Sequence, residues 1–266
     1  MEQKKIKTFF SLLLTIMFLE ACASPINVPT VEPQATRTEP PQTTVTEPAT
    51  GAGLCANAYY PARQGATWNY KSTGSPAGDY SFTDTITSVR SDGFTLSTQF
   101  NNLTRTQEWA CKPEGLVALQ FGGAPAALLN AQSMQFDVQA SNVNGVTFPS
   151  QIKPGDQWQH SLDLQGNVTV ANQSAAAKGN AVNNFTAVGM ESVTVPAGTF
   201  DAMKIQVDTT VNLNASYKGL SLPVKFTASY TYWFAQGVGW VKASGTGSAV
   251  GTSFSETTEL QSYNMP

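Results

Sequence analysis

From Met203 to Phe234 apolar and polar residues largely alternate, and this constrains the fold more than any other feature of the chain. Met203, Ile205, Val207, Val211, Leu213, Ala215 and Tyr217 share one parity. After Lys218-Gly219 the pattern restarts on Leu220, Leu222, Val224, Phe226, Ala228, Tyr230, Tyr232 and Phe234. Successive side chains of a strand point to opposite faces, so this predicts two antiparallel strands joined by a tight turn. Each would run to about 15 residues, or roughly 50 Å at the strand rise, where ordinary strands have about 5–6 residues. Strands of that length twist and coil, which predicts a long curved sheet closing into a half-barrel or open barrel. Pro223 has no N–H to give to a ladder and predicts an edge position or a bulge in the second strand.

The same period recurs upstream. Tyr80, Phe82 and Ile86 alternate with polar residues, as do Phe94, Leu96 and Phe100 after the hairpin signal Ser91-Asp92-Gly93. Met134, Phe136 and Val138 form another run, and Trp158, His160, Leu162 and Leu164 a further one. No stretch carries a convincing amphipathic helix. The best candidate, Pro125 to Ala131, is short and reads as a packed loop. The fold class expected is all-β, mainly antiparallel, in a single domain over residues 55–266. A faint internal duplication is visible within it. Gly65-Ala66-Thr67-Trp68-Asn69-Tyr70 is echoed by Gly155-Asp156-Gln157-Trp158-Gln159-His160, and the run Trp109 to Val117 by Trp233 to Val241. Each half also holds a tight hairpin, at Ser91-Asp92-Gly93-Phe94 and at Pro196-Ala197-Gly198-Thr199-Phe200.

The N-terminus has the three-part pattern of an export signal over residues 1–21. Lys4, Lys5 and Lys7 precede an apolar stretch from Thr8 to Leu19, which is too short to span a bilayer as a mature helix. Leu19-Glu20-Ala21-Cys22 resembles the bacterial lipobox and makes Cys22 the expected lipidation site, with Glu20 departing from the small residue usual there. The competing reading is ordinary cleavage near Ala21 or Ala23. Residues 22–54 then change composition, with Pro25, Pro29, Pro33, Pro40, Pro41 and Pro48 spread among Thr, Glu, Gln and Ala. Such a segment buries too little surface to offset its ordering entropy and is expected to act as a stiff, extended spacer. Together these features predict an exported protein held at the cell envelope by lipid on Cys22.

Two further cysteines, Cys55 and Cys111, form an even pair in an exported chain and read as a disulfide, pinning the start of the domain to its third strand. Charged residues are only 12% of the chain and the net charge is −3, with no basic face, so a nucleic-acid partner is not expected. His160 is the one histidine and sits on the apolar parity of its run, the position of a core or cavity side chain. No nucleophile elbow, phosphate loop, EF-hand spacing or His/Cys metal set is present, so no catalytic residue, metal site or cofactor is assigned. Carboxylates are sparse and scattered, among them Asp79, Asp84, Asp92, Glu108, Asp137, Asp163, Glu191, Asp208 and Glu256, and the sequence singles none of them out. Trp68 and Trp158 have apolar neighbours in alternating runs and are expected to pack in the core.

Tyr59-Tyr60-Pro61 with Gly65-Ala66-Thr67-Trp68, the turn Val193 to Phe200, and Tyr232-Trp233-Phe234-Ala235-Gln236-Gly237-Val238-Gly239 resemble uncharacterised bacterial envelope lipoproteins. Those are β-rich domains similar to the LolA/LolB half-barrel carriers. The resemblance spans most of residues 57–243 and implies a curved antiparallel sheet with an apolar concave face; it brings no catalytic residues. Three functions are compatible with the sequence. One is a non-enzymatic, lipid-anchored module that binds an apolar ligand or lipidated partner on that face. The second is a structural or interaction module that binds protein or glycan through exposed aromatics. The third is a hydrolase built on His160 or on paired carboxylates. Replacing Cys22 with Ala is expected to move the exported protein from the membrane to the soluble fraction. Unchanged membrane association on fractionation would exclude the lipid anchor.

Overall fold

The computed structural model describes residues 53–266, apart from 76–77, 102, 123–133, 171–172, 219 and 250–251. The signal, Cys22, nearly all of the spacer and the Pro125–Ala131 segment lie outside the described residues. The described chain opens with a 3-10 turn, Gly53–Cys55, and then forms thirteen strands. The first five are β1 (Thr67–Thr73), β2 (Tyr80–Val89), β3 (Gly93–Phe100), β4 (Leu103–Lys112) and β5 (Gly115–Ala118). Next come β6 (Met134–Gly145), β7 (Phe148–Pro149), β8 (Gln157–Val170) and β9 (Gln173–Val195). The last four are β10 (Gly198–Tyr217), β11 (Leu220–Ala235), β12 (Gly239–Ala249) and β13 (Thr252–Asn264).

All thirteen belong to one antiparallel sheet curled into a half-barrel, in the order β6-β8-β9-β10-β11-β12-β13-β1-β2-β3-β4-β5-β7. The Met203–Phe234 alternation forms the β10–β11 hairpin, paired from Ala202↔Ala235 to Tyr217↔Leu220. Pro223 faces Asn214 of β10, while the pairing of β11 with β12 begins only at Phe226, so the proline lies beyond that ladder. The Thr67–Thr73 strand precedes the strands counted from the sequence, which makes Cys111 a residue of the fourth strand and not of the third.

The sequence echoes fall at matching places. Strands β1–β5 and β8–β12 each run as a five-strand meander, with β13 joining them between β12 and β1. Gly65–Tyr70 leads into the first strand of one meander, and Gly155–His160 into the first strand of the other. Trp109–Val117 and Trp233–Val241 each span the turn from fourth strand to fifth, and the two tight hairpins each join second strand to third.

The inward face of the sheet forms the core. Along β1 this parity buries Trp68, Tyr70 and Ser72. On β12 two inward positions are glycines for steric reasons: a Cβ on Gly245 would lie 2.6 Å from the Ser229 carbonyl oxygen, and one on Gly247 would overlap the Phe254 ring. The space goes instead to the rings of Tyr230 and Phe254.

One end of the half-barrel is plugged by the chain that precedes β1. Asn57 organises this segment, its side-chain oxygen accepting from the backbone N–H of Tyr59 and Tyr60 while its amide donates to the Pro149 carbonyl at 2.9 Å. The Tyr60 ring then packs against Phe94, Trp109 and Phe148 at 5.8, 4.9 and 5.4 Å. Cys55, fully buried, is bonded to Cys111 of β4. The plug is therefore tied covalently to the sheet. The bridge closes a loop that the unfolded chain would otherwise sample freely, a constraint of ~4 kcal/mol in the chain-entropy account. Reduction is expected to lower the unfolding free energy by about that amount, read as a drop in the urea midpoint without loss of the folded spectrum in water. An unchanged midpoint would show that the bridge does not hold the plug.

Candidate functional site: a polar-lined cavity in the half-barrel

The inward side chains leave a cavity of about 770 Å³. Its wall is mostly apolar, with Phe82, Phe100, Trp109, Phe185, Tyr232 and Trp240 supplying rings and Leu96, Leu162, Ile205 and Val207 aliphatic surface. Consecutive residues of β4, Arg105 to Glu108, and of β6, Val138 to Ala140, also line it. Side chains of both faces take part only where a strand edge forms a rim. Among the described residues the cavity therefore opens between these two edges of the sheet.

Near the other end of the same edges the sheet is stitched to itself. Only residues 146–147 separate β6 from β7, which pairs with β5. His160 of β8 reaches across to the Ala118 carbonyl at the end of β5, at 3.0 Å. A carbonyl can only accept, so Nε2 carries the proton and donates. Trp158 donates from its indole to the Thr147 carbonyl at 3.2 Å and stacks on Phe185 at 5.2 Å. Burial pushes the His160 pKa down, partly opposed by the Ala118 hydrogen bond. His160 is thus a neutral closure contact and part of the cavity wall. The hydrogen bond it makes among the described residues goes to backbone, not to a hydroxyl or a carboxylate.

Two rows of polar residues cross the apolar wall. On one side Asp84 of β2, Thr98 of β3 and Arg105 of β4 are register neighbours and all line the cavity. On the other side His160 of β8, Asn183 of β9 and Thr209 of β10 do the same. Each row contains one threonine that donates to an acidic or amide oxygen on the neighbouring strand. Thr98 donates to Asp84 Oδ1 at 2.5 Å, and Thr209 donates to Asn183 Oδ1 at 2.7 Å. The two rows do not occupy equivalent positions in the two meanders: Asp84 pairs with Trp68, whereas Asn183 pairs with His160.

Asp84 is the unusual member. Its side chain belongs to a residue only 7% exposed, and none of the ion pairs among the described residues includes it. Desolvation pushes its pKa up to about 7, opposed by the Thr98 hydrogen bond. A second buried carboxylate, Glu256, accepts from the Tyr80 hydroxyl at 3.1 Å outside the cavity lining, and burial raises its pKa as well. Arg105 is half-buried at the rim, where desolvation lowers its pKa.

Cys55 and Cys111 meet as a pair, while Cys22 is outside the described residues. Trp68 is core, 5% exposed, and donates to the Val238 carbonyl; Trp158 is half-buried at the seam. Among the described residues no cluster of three metal-ligating side chains occurs. The polar rows were not foreseen. Their signal is a polar residue at an inward position of an alternating run, as in Phe82-x-Asp84-x-Ile86, Leu96-x-Thr98-x-Phe100 and Val207-x-Thr209-x-Val211.

Residues 102–247, more than half of the chain, match the model of one family. The chain belongs to the DUF3108-like family. The match runs from the start of β4 into β12 and so takes in both rims of the cavity and the whole His160 row. Solved structures similar to this DUF3108-like chain include a Bacteroides fragilis protein named as exported, with a YmcC-like fold. It is 13% identical, with a TM-score of 0.49 and coverage of 79% of this chain and 100% of that one. A protein of Parabacteroides distasonis named as a lipoprotein is 14% identical, with a TM-score of 0.42 and coverage of 78% and 99%. The hypothetical lipoprotein YmcC from Escherichia coli is 10% identical, with a TM-score of 0.34 and coverage of 77% and 87%. No match was found among the curated proteins.

The raised pKa of Asp84 has a consequence for stability. An unfolded aspartate ionises near 3.8, the folded one near 7. Between those values the folded state keeps a proton that the unfolded state has lost. The contribution is full below about pH 4 and drains away as pH rises through 7. Asp84→Asn removes this cost and is expected to stabilise the DUF3108-like domain at pH 8 by about 2–4 kcal/mol, with the two proteins converging near pH 4. Urea titrations at both pH values check this. Equal stability at pH 8 would mean that Asp84 is not held near neutrality.

Proposed function

We propose that this protein is a non-enzymatic, lipid-anchored module of the cell envelope that holds an apolar ligand inside its half-barrel. The observation that carries the reading is the cavity of about 770 Å³, walled by aromatic and aliphatic side chains and, among the described residues, open along one seam of the sheet. Small-molecule sites are concave, mostly apolar and marked by a few placed polar groups, and this cavity has each of those properties. The N-terminal signal, Cys22 and the proline-rich spacer support export and anchoring, with the folded domain carried clear of the bilayer. On this reading the domain acts as a carrier or sensor in the manner of LolA/LolB-like half-barrels.

The alternative of an exterior binding surface draws less support. Among the described residues the exposed large hydrophobics are Leu54, Leu103, Val188, Met190, Leu220, Leu222 and Tyr263. One aromatic in that set does not make the ring patch that a glycan-binding exterior needs. Trp233 also stands on the outer face, but the Lys204 ammonium covers its ring at 5.6 Å. A hydrolase draws less support again, because the hydrogen bond His160 makes goes to a backbone carbonyl.

Native mass spectrometry of protein purified without detergent, followed by organic extraction, tests the reading. A stoichiometric apolar mass is expected, either as purified or after exposure to a lipid mixture. A clean apo mass under both conditions would leave the interaction module as the better account.

A further inference from the structure

Asp84 makes no sense as a device for stability. A buried carboxylate is costly unless it is paired or neutral. Asp84 is 7% exposed, takes part in none of the ion pairs among the described residues, and has Thr98 as its hydrogen-bonding neighbour. It faces the cavity among rings: Tyr60, Phe82 and Trp240 share that wall, and Tyr60, Trp68 and Trp240 also enclose a small void beside it. Electron-rich ring faces with a carboxylate among them favour an organic cation over any other head group. The Arg105 guanidinium is the competing anchor, since it would attract an anion. It stands in the same row with Thr98 between, half-buried at the rim, whereas the enclosed charge is the carboxylate.

We propose that the cavity selects a cationic amphiphile, an alkylammonium whose head meets the Asp84 carboxylate among Tyr60, Phe82 and Trp240 and whose chain lies along Leu96, Ile205 and Val207. This rests on the apolar-ligand reading above and gives that ligand its head group. It also explains why the site tolerates a destabilising residue: the bound ammonium supplies the ion-pair partner that Asp84 does not have among the described residues.

Calorimetric titration of the full chain, kept free of lipid by Cys22→Ser, with n-octylammonium, 1-octanol and octanoate at pH 8 tests the proposal. These probes share a chain and differ in the head. The ammonium is expected to bind about tenfold or more tightly than the alcohol, as charged hydrogen-bonding groups do, and octanoate is expected to bind most weakly. Asp84→Asn should bring ammonium and alcohol to within about twofold, while Arg105→Gln leaves the preference in place. The unmutated Asp84 provides a second arm. Lowering the pH to 6 protonates the carboxylate and should remove most of the preference. Over that range Tyr60 and Tyr70 stay neutral, since burial raises both well above the usual tyrosine value. His160 on the opposite wall is held toward neutrality, and Arg105 and Glu108 at the rim stay charged. Tightest binding of octanoate, abolished by Arg105→Gln, would overturn the proposal and make Arg105 the head site. Equal binding of all three probes would overturn it while leaving an apolar cavity. Failure of every probe to bind would overturn the apolar-ligand reading and this inference with it.

Discussion

A sheet this wide, curled on itself, encloses more space than its own inward side chains fill, and most of what is distinctive about the molecule follows from that mismatch. Protein interiors elsewhere pack to the density of organic crystals. Here rings fill the plugged end. Toward the hairpin tips a second buried cluster is made of smaller side chains such as Ala177, Ala181, Ala215 and Ala228, with Phe226 and Phe254 between them. The cavity takes its lining from both clusters, with Phe82 and Trp109 from the first and Leu162 from the second.

The open seam and the plug solve the remaining problems of such a sheet. Its two edges would otherwise present unpaired backbone to solvent, the hazard that full closure removes. The stitch through residues 146–147, His160 and Trp158 closes the edges over part of their length. Where the stitch ends, between β4 and β6, the gap becomes the mouth. The plug blocks one end and contributes Tyr60 to the cavity wall. The disulfide therefore acts on the site as well as on stability, because it fixes the segment that carries Tyr60 against the strand that carries Trp109.

Much of this was legible in the sequence, and the boundary of legibility is physical. The long hairpin, its turn at Lys218, the burial of Trp68, the inward position of His160 and the faint repeat are period-two or turn-chemistry signals, and each is local. Fewer strands are legible than the thirteen that form, because several hold few large apolar residues: Thr67-Trp68-Asn69-Tyr70-Lys71-Ser72-Thr73 has only two, and Ser72, fully buried, breaks the pattern. The polar rows were missed for a related reason. Thr98 and Thr209 read from sequence as gaps in an apolar parity. Their meaning appears only when register sets Thr98 beside Asp84 and Arg105, and Thr209 beside Asn183. Register across strands separated by many residues is a property of the closed sheet.

The two rows also bear on what kind of occupant fits. A cavity meant only for a hydrocarbon chain is best lined by hydrocarbon, since each inward polar group must then be satisfied by its neighbours at some cost. In the His160 row two such contacts are made within the wall: His160 donates to Ala118, and Thr209 donates to Asn183. Those contacts join neighbouring strands and close the seam. The Asp84 row differs, because a hydroxyl can meet one oxygen of a carboxylate but cannot neutralise its charge. The His160 row holds no carboxylate, whereas Asp84 on the other wall has no ion-pair partner among the described residues. A ligand that filled the volume alone would leave that imbalance in place, whereas one that also brought a positive charge would remove it.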